Sequence, residues 1–398
     1  MVTRSGGRPA LEGGLLPLPR LLWLLAFVVM LDGRTMTTVL PDIAADLGVS
    51  VPTAGIAITA YLIPYGVCQL AWGPLADRVG PMRVISVAIV AFVLVVASAT
   101  VAGSLPALAA IRLVTGGIAA AFFPLALVTL GELVPYGRRQ AEIAKLNAAT
   151  ATGVLLGAAL GGILTDLFSW RAIFVVDAGL ATLLVLPLWR VRDAVPPRGR
   201  QPSQRGAILR DRRALAIYGL VAVEGFAFFG GNSYLGALLH DRHGLSYAWT
   251  GAVLAVEALA SVITARFVGR LLQRIGERWM LLTGGVAMGG GFVIAAAAPG
   301  WALVLPGMAL IGAGFPVCHS VLQTRGTEIA PEARGTAISF FVFALFVGGA
   351  IGTAVLGVVL DAYGFGAALG LAGVLLIAFA YAASRTSSPR SSRNVSTA

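Results

Sequence analysis

The sequence predicts an all-α membrane protein, with twelve transmembrane helices arranged as two pseudo-symmetric six-helix bundles. Three observations carry that reading. Charged residues make up only 12% of the 398 while hydrophobic ones reach 58%, and the mean hydropathy is +0.87, which excludes an ordinary soluble domain. Apolar stretches of about 20 residues, long enough for a helix to cross a bilayer core, recur from Leu21 almost to the C-terminus. The second half of the chain also repeats the first at a nearly constant offset.

Taken in order, spans fall at 21–41, 53–73, 84–103, 106–131, 145–165, 170–189, 214–238, 248–269, 279–298, 301–323, 336–359 and 364–383. Residues 1–20, rich in Gly, Pro and Arg, read as a cytoplasmic tail and not a signal peptide, because no small-residue cleavage site follows and further spans continue. Residues 21–189 make the first bundle, 190–213 ("RVRDAVPPRGRQPSQRGAILRDRR") a cytoplasmic linker, and 214–384 the second bundle. Residues 385–398 are a polar, Ser-rich, disordered cytoplasmic tail, in which the Asn394-Val395-Ser396 sequon is read as chance.

Orientation follows from the basic residues. Of 29, 25 fall on the side of the two termini, Arg171 and Arg242 fall on the other side, and Arg34 and Arg112 lie within spans. Basic residues gather on the cytoplasmic side, so both termini are expected in the cytoplasm of a multi-pass plasma-membrane protein. The net charge of +11 suits an anionic inner leaflet and calls for no nucleic-acid partner. Cys68 and Cys318 both lie in spans, so no disulfide framework is expected.

The internal repeat is read from three stretches. "GPLADRVG" from Gly73 realigns with "GRLLQRIG" from Gly269 at a shift of 196, and the same shift pairs Glu132 with Glu328 and Pro135 with Pro331. A shift of 195 pairs Gly153, Gly157, Gly162 and Asp166 with Gly348, Gly352, Gly357 and Asp361. Parallel repeats imply a pseudo-twofold axis along the membrane normal and a substrate site near the midplane between the halves.

Over residues 20–384 the chain resembles the major facilitator superfamily. The loop "GPLADRVGPMRV" is similar to the family's signature between helices two and three, through Gly73, Leu75, Ala76, Asp77, Arg78 and Gly80. It departs at Pro81 and Met82, where two basic residues are usual. The resemblance implies that this loop, with Glu132 beside it, braces the halves on the cytoplasmic side. "LDGRTMTTVLPDI" is similar to the first-helix pattern of drug/proton antiporters through Leu31, Asp32, Leu40 and Pro41, with Arg34 foreign to it. "GVLLGAALGGIL" is similar to the antiporter signature of helix five through Gly153, Gly157, Gly161 and Gly162, with Ala158 in the proline's place; small residues at that spacing also serve plain helix packing. Arg112 with Gly116 resembles the fourth-helix signature, which in the family takes part in proton relay. A conformational gate is therefore expected of Gly73, Asp77, Arg78, Gly80, Glu132, Gly153, Gly157, Gly161 and Gly162.

Charges inside spans need their own reason. An ionised Asp or Arg at a helix centre costs roughly 2.5–3.5 kcal/mol on insertion scales, yet Asp32, Arg34, Arg112, Glu224 and Glu257 all lie there. The repeat maps Glu224 onto Val28, one turn before Asp32, so the two acids occupy corresponding faces of paired helices. Glu257 maps onto Tyr61 in "AYLIPYG", where Pro64 can open the helix and Tyr65 adds a second ring. Desolvation disfavours a carboxylate's charged form, so such a group can carry a proton near neutral pH. Asp32, Glu224, Glu257 and Arg112 are accordingly the proton-coupling candidates, against a structural alternative in which a protonated Glu simply bonds a neighbouring helix. Arg112 could pair with Asp32; Arg34 has no partner assignable from sequence.

Substrate contacts are expected of Arg34, Tyr61, Tyr65, Phe123, Phe228, Asn232, His319 and Gln323, with lipid-facing or packing roles as the alternative for the rings. Asp177 sits near the start of span six and is read as hydrated at the interface. His240 and His243 in "HDRH" lack further ligands nearby, so no metal is expected. No nucleophile with a base, phosphate loop or soluble domain suggests an enzyme. The expectation is a monomeric secondary transporter in the bilayer, coupled to protons and needing no other cofactor, that exports small lipophilic or cationic drug-like compounds. The alternative is a proton-coupled carrier of a metabolite such as a sugar, an amino acid or an organic anion bound by Arg34 and Arg112.

Overall fold

The computed structural model describes residues 17–197, 199, 205–330 and 334–386. The expectations for the leader, most of the C-terminal tail with its sequon, part of the linker and Pro331 lie outside the described residues. Within them the chain is helix after helix: α1 (Leu18–Asp46), α2 (Val51–Val79), α3 (Pro81–Val101), α4 (Leu105–Leu133), α5 (Ala141–Leu167) and α6 (Arg171–Arg190). After the linker come α7 (Arg212–Arg242), α8 (Tyr247–Ala265), α9 (Val268–Ala297) and α10 (Trp301–Glu328). The last apolar helix, Arg334–Arg385, counts 52 residues, more than twice what a bilayer core needs. It breaks at Gly364, whose φ of 79° and ψ of 175° no helix accommodates, giving α11 (334–363) and α12 (365–385) and hence twelve spanning helices.

Local chemistry explains the other irregularities. Two turn residues interrupt α4 at Ala120 and Ala121, because Pro124 has no N–H to return to the Ala120 carbonyl. In α2, by contrast, the helix runs on through Pro64, so the local opening expected there does not occur. In α9 the membrane helix proper starts after Gly276 (φ 74°), and residues 268–275 form a separate helical segment leading into it.

The pseudo-symmetry is visible in the backbone. Gly48 (φ 64°) and Gly244 (φ 68°) turn the chain between the first two helices of each half, and Gly80 (φ 101°) and Gly276 (φ 74°) turn it after the second. Both pairs are separated by the 196-residue shift. Ser50 and Ser246, at the same shift, cap α2 and α8 by accepting the Thr53 and Trp249 N–H groups. Packing obeys the same rule: α1 lies on α5 as α7 lies on α11, α2 on α4 as α8 on α10, and α3 on α6 as α9 on α12. The halves meet where α2 packs on α11, α8 on α5, and α1 on α7.

The first part of the linker folds back onto the loop between α2 and α3. Arg83 Nε donates to Asp193 Oδ1 at 2.6 Å, Gly199 N–H donates to the Asp77 carbonyl at 3.0 Å, and Val195 is buried beside Gly80. The Arg83 hydrogen bond holds the Asp193 carboxyl below the usual carboxylate range.

Candidate functional site

The halves are joined from mid-membrane to the end of the bundle where α1 stops and α2 begins. At that end Asp166, on α5, accepts the Tyr247 N–H at 3.0 Å and the Ala248 N–H at 2.8 Å, so one carboxylate from the first half caps the first turn of α8 in the second. Small residues allow the close approach beneath this cap. A Cβ at Gly162 would collide with the Tyr247 carbonyl, and one at Gly251 with the Ala158 carbonyl. On the opposite flank Thr59 donates to the Ala350 carbonyl at 3.4 Å, and a Cβ at Gly66 would press on Phe343 and Phe346. Toward the end bearing the termini the helix faces open: Gly73 has open space beside it, and Ala141, Ala144, Lys145, Ile263 and Ala265 are exposed.

The Arg34 guanidinium crosses from one half to the other. Its Nη2 lies 2.5 Å from Glu257 Oε2 on α8 and donates to Asn232 Oδ1 on α7 at 3.0 Å. Glu257 can be reached because Gly312 lets α10 press against its backbone carbonyl, setting α8 at the centre of the interface. Residues 31–35 bury Leu31, Asp32 and Thr35 while Arg34 is only half-buried, so its head keeps one side toward the space between the halves. Sequence could not name this partner because it comes from 223 residues away in the other repeat.

Asp32 lies on another side of α1. Arg112 Nη1 donates to Asp32 Oδ1 at 2.6 Å, with both side chains fully enclosed. The guanidinium stacks over Tyr61, 4.3 Å from ring centre, and lies 6.0 Å from the centre of Phe174. Gly116, one turn after Arg112, lets α4 approach the Tyr61 backbone closely, and that approach fixes the stack.

One turn beyond Phe174 is Asp177, and here the expectation of interfacial hydration is corrected. Asp177 is 0% exposed, and neither of its carboxylate oxygens has a hydrogen-bond partner among the described residues. Its depth along the span was read correctly, but α6 is covered by α1 and α3, so water at that level does not reach it. The available signal was periodicity: Ile173, Asp177, Ala181, Leu184 and Leu188 follow one buried helical face, and Asp177 is the acid on it.

In the second half Glu224, 0% exposed, has Oε2 3.0 Å from His319 Nδ1. The imidazole stacks on Phe315 at 4.6 Å. From there rings run without interruption across the interface: Phe315 to Phe228 at 4.2 Å, Phe228 to Phe229 at 5.3 Å, Phe229 to Phe346 at 5.3 Å, Phe346 to Tyr65 at 4.4 Å, and Tyr65 to Tyr61 at 5.7 Å. An aromatic path thus connects the Glu224–His319 pair to the guanidinium of Arg112. Phe315 and Phe346 were missed in the sequence, where isolated Phe residues in apolar helices carry no mark of facing one another.

The other candidates are more scattered. Phe123 is half-buried against the first-half core and Gln323 is exposed on α10. Gly153, Gly157 and Gly161 lie against α1, at the Phe27 and Leu31 carbonyls and the Thr35 side chain, and only Gly162 of that signature reaches the other half. Asp77 and Glu132 are half-buried, Arg78 is exposed, and Gly80 is buried beneath the linker. Among the described residues no group of three or more metal-ligating side chains occurs.

The family model described as Major Facilitator Superfamily matches residues 22–353 and 250–398. The chain belongs to this superfamily. Among curated relatives, it is 29% identical over 350 residues to a chloramphenicol resistance protein of Streptomyces lividans, covering 85% of this chain and 88% of that one. It is 27% identical over 355 residues to the multidrug efflux protein YfmO of Bacillus subtilis (strain 168), covering 85% and 86%. Among solved structures, the nucleoside transporter NupG superposes with a TM-score of 0.77 at 15% identity, covering 92% of this chain and 98% of that one. A bacterial homologue of the human lysosomal transporter Spinster, in an inward-facing and unoccupied conformation, gives 0.78 at 16% identity over 92% and 96%. These superpositions establish the major facilitator fold. The protein is a multi-pass membrane transporter of this superfamily and not an enzyme.

Proposed function

We propose that this transporter exports small lipophilic or cationic drug-like compounds across the plasma membrane in exchange for protons, acting as a monomer by alternating access. The observation that carries the reading is the imbalance of charge between the halves. Four enclosed carboxylates, Asp32, Asp177, Glu224 and Glu257, are offset by two guanidiniums, Arg34 and Arg112, and the imidazole of His319, the further enclosed guanidinium of Arg325 being paired with Glu277. A bare carboxylate in a dry site is costly, and either a proton or a cationic substrate relieves it. The aromatic path beside these acids offers stacking surfaces to flat lipophilic cations. Relatives named for chloramphenicol resistance and multidrug efflux support the direction and the substrate class.

The basic residues put the termini, and therefore the open end of the bundle, on the cytoplasmic side. A compound entering there meets the Arg34–Glu257 pair, the first charged contact between the halves. A cation competing for Glu257 frees Arg34 and loosens the central tie between α1 and α8. Opening at the Asp166 end then releases the compound, and protons taken up from outside reset the carrier. The coupling ion is the proton, and no further cofactor is invoked. An organic-anion carrier needs free guanidiniums, whereas Arg34 and Arg112 are each already bonded to a carboxylate, which weighs against that alternative.

The test is exchange in proteoliposomes, with ethidium as cation and an internal pH dye. Ethidium moving against an imposed pH gradient should discharge it, and Glu257→Gln and Glu224→Gln should each slow the proton flux at least tenfold. If both variants discharge the gradient at the wild-type rate, neither acid carries the proton. If organic anions, and no cation, discharge it, the transporter is a metabolite carrier.

A further inference from the structure

Asp177 is enclosed on every side. Asp32 on α1 and Arg112 on α4 act on it electrostatically, though it makes no ion pair with Arg112, and Phe174, one turn before it on α6, lies 6.0 Å from the guanidinium. Tyr61 on α2 covers the guanidinium from another side, 4.3 Å away. Four polar atoms in this group lack a hydrogen-bond partner among the described residues: Asp177 Oδ1, Asp177 Oδ2, Asp32 Oδ2 and Arg112 Nε. Arg112 is bonded to Asp32 alone, at 2.6 Å. Two carboxylates and one guanidinium therefore occupy a region closed to water, with the guanidinium bonded to Asp32, and a second full negative charge there would stand uncompensated.

We propose that Asp32 and Asp177 hold a single proton between them, carried by Asp177 while Arg112 is bonded to Asp32. The trio is then neutral. When Arg112 swings to Asp177, that carboxyl gives up its proton and the Asp32 carboxylate takes one up, so neutrality is kept and the proton has moved from α6 to α1. This deepens the proton-exchange reading by naming where the first half keeps its proton, and it rests on that reading only for the link to transport. The proton itself is a property of the resting protein.

Infrared spectra of the transporter in liposomes, before and after exchange into D2O, report the C=O stretch of protonated carboxyl groups without any substrate. Measured in a Glu224→Gln background to remove that acid, one carboxyl band is expected. Asp177→Asn should abolish it. Asp32→Asn should abolish it too, since Arg112 is then left to Asp177, and Arg112→Gln should double it. The last two variants read the same proton from opposite sides, so a misfolded Asp177→Asn would not remove the test. A band that persists in Asp177→Asn, or in Asp32→Asn, overturns the proposal. In liposomes of protein with Glu224 intact, ethidium-driven proton flux should fall to the leak rate in Asp177→Asn. If wild type shows no such flux while the bands behave as stated, the export reading fails and the shared proton stands.

Discussion

The two halves share one architecture and fill it with different ions. In the first, a guanidinium holds Asp32; in the second, an imidazole holds Glu224. At the repeat shift the counterpart of Arg112 is Met308, that of His319 is Phe123, and that of Glu257 is Tyr61. At these three positions one half carries an ionisable side chain and the other an apolar or aromatic one. Arginine stays charged at every accessible pH, whereas histidine is the side chain whose charge ordinarily changes between about pH 5 and 8. The first half is built around a guanidinium and the second around an imidazole.

Four substitutions probe this contrast, in falling order of effect. Arg112→Gln strands Asp32 in a closed pocket and is expected to lower stability by about 3–5 kcal/mol at neutral pH, read from thermal unfolding in detergent. The deficit should shrink as pH falls, because the acids are protonated in the folded variant and the unfolded chain then no longer gains by ionising them; a pH-independent deficit would mean that packing on Tyr61, and not charge, is what was lost. Arg34→Gln removes a pair that keeps partial access to the space between the halves, and about 2 kcal/mol is expected. Asp166→Asn weakens the cap of α8 by about 1 kcal/mol, and labelling of a cysteine placed at Ala159 should rise about fivefold as that end opens more often. Unchanged labelling would show that glycine packing alone keeps it shut. His319→Gln keeps a hydrogen-bond donor for Glu224, so stability should change by less than about 1 kcal/mol. Its signature is proton flux in proteoliposomes, which should fall severalfold while stability holds. If His319→Gln leaves the flux unaltered, the contrast between the halves is structural only.

Much of this architecture could be read from the chain because the bilayer constrains length and polarity so strictly. Ten of the spans appear as separate apolar helices, and the last two form one long helix that Gly364 parts into α11 and α12. The acids were legible for the same reason, since Asp32, Glu224 and Glu257 interrupt apolar runs with nothing in folding to require them. Pairings were harder. Arg34 finds Glu257 and Asn232 only through the docking of one repeat on the other, and no periodicity within a helix encodes that distance. Asp177 was misjudged because depth along a helix was taken for exposure, whereas its enclosure is decided by which neighbours lie on that face. Asp166 looked like a polar residue at a helix end; its service as a cap for a helix in the other half depends on the α5–α8 crossing.

Gly364 has a mechanical consequence. The chain passes from α11 to α12 through one left-handed residue with no loop on either side, so those helices have no slack between them. A pull on α11, which forms the flank against α2, is transmitted at once to α12 and through it to α9. The flank of the second half that meets α2 and its far side against α9 are therefore mechanically joined through one residue.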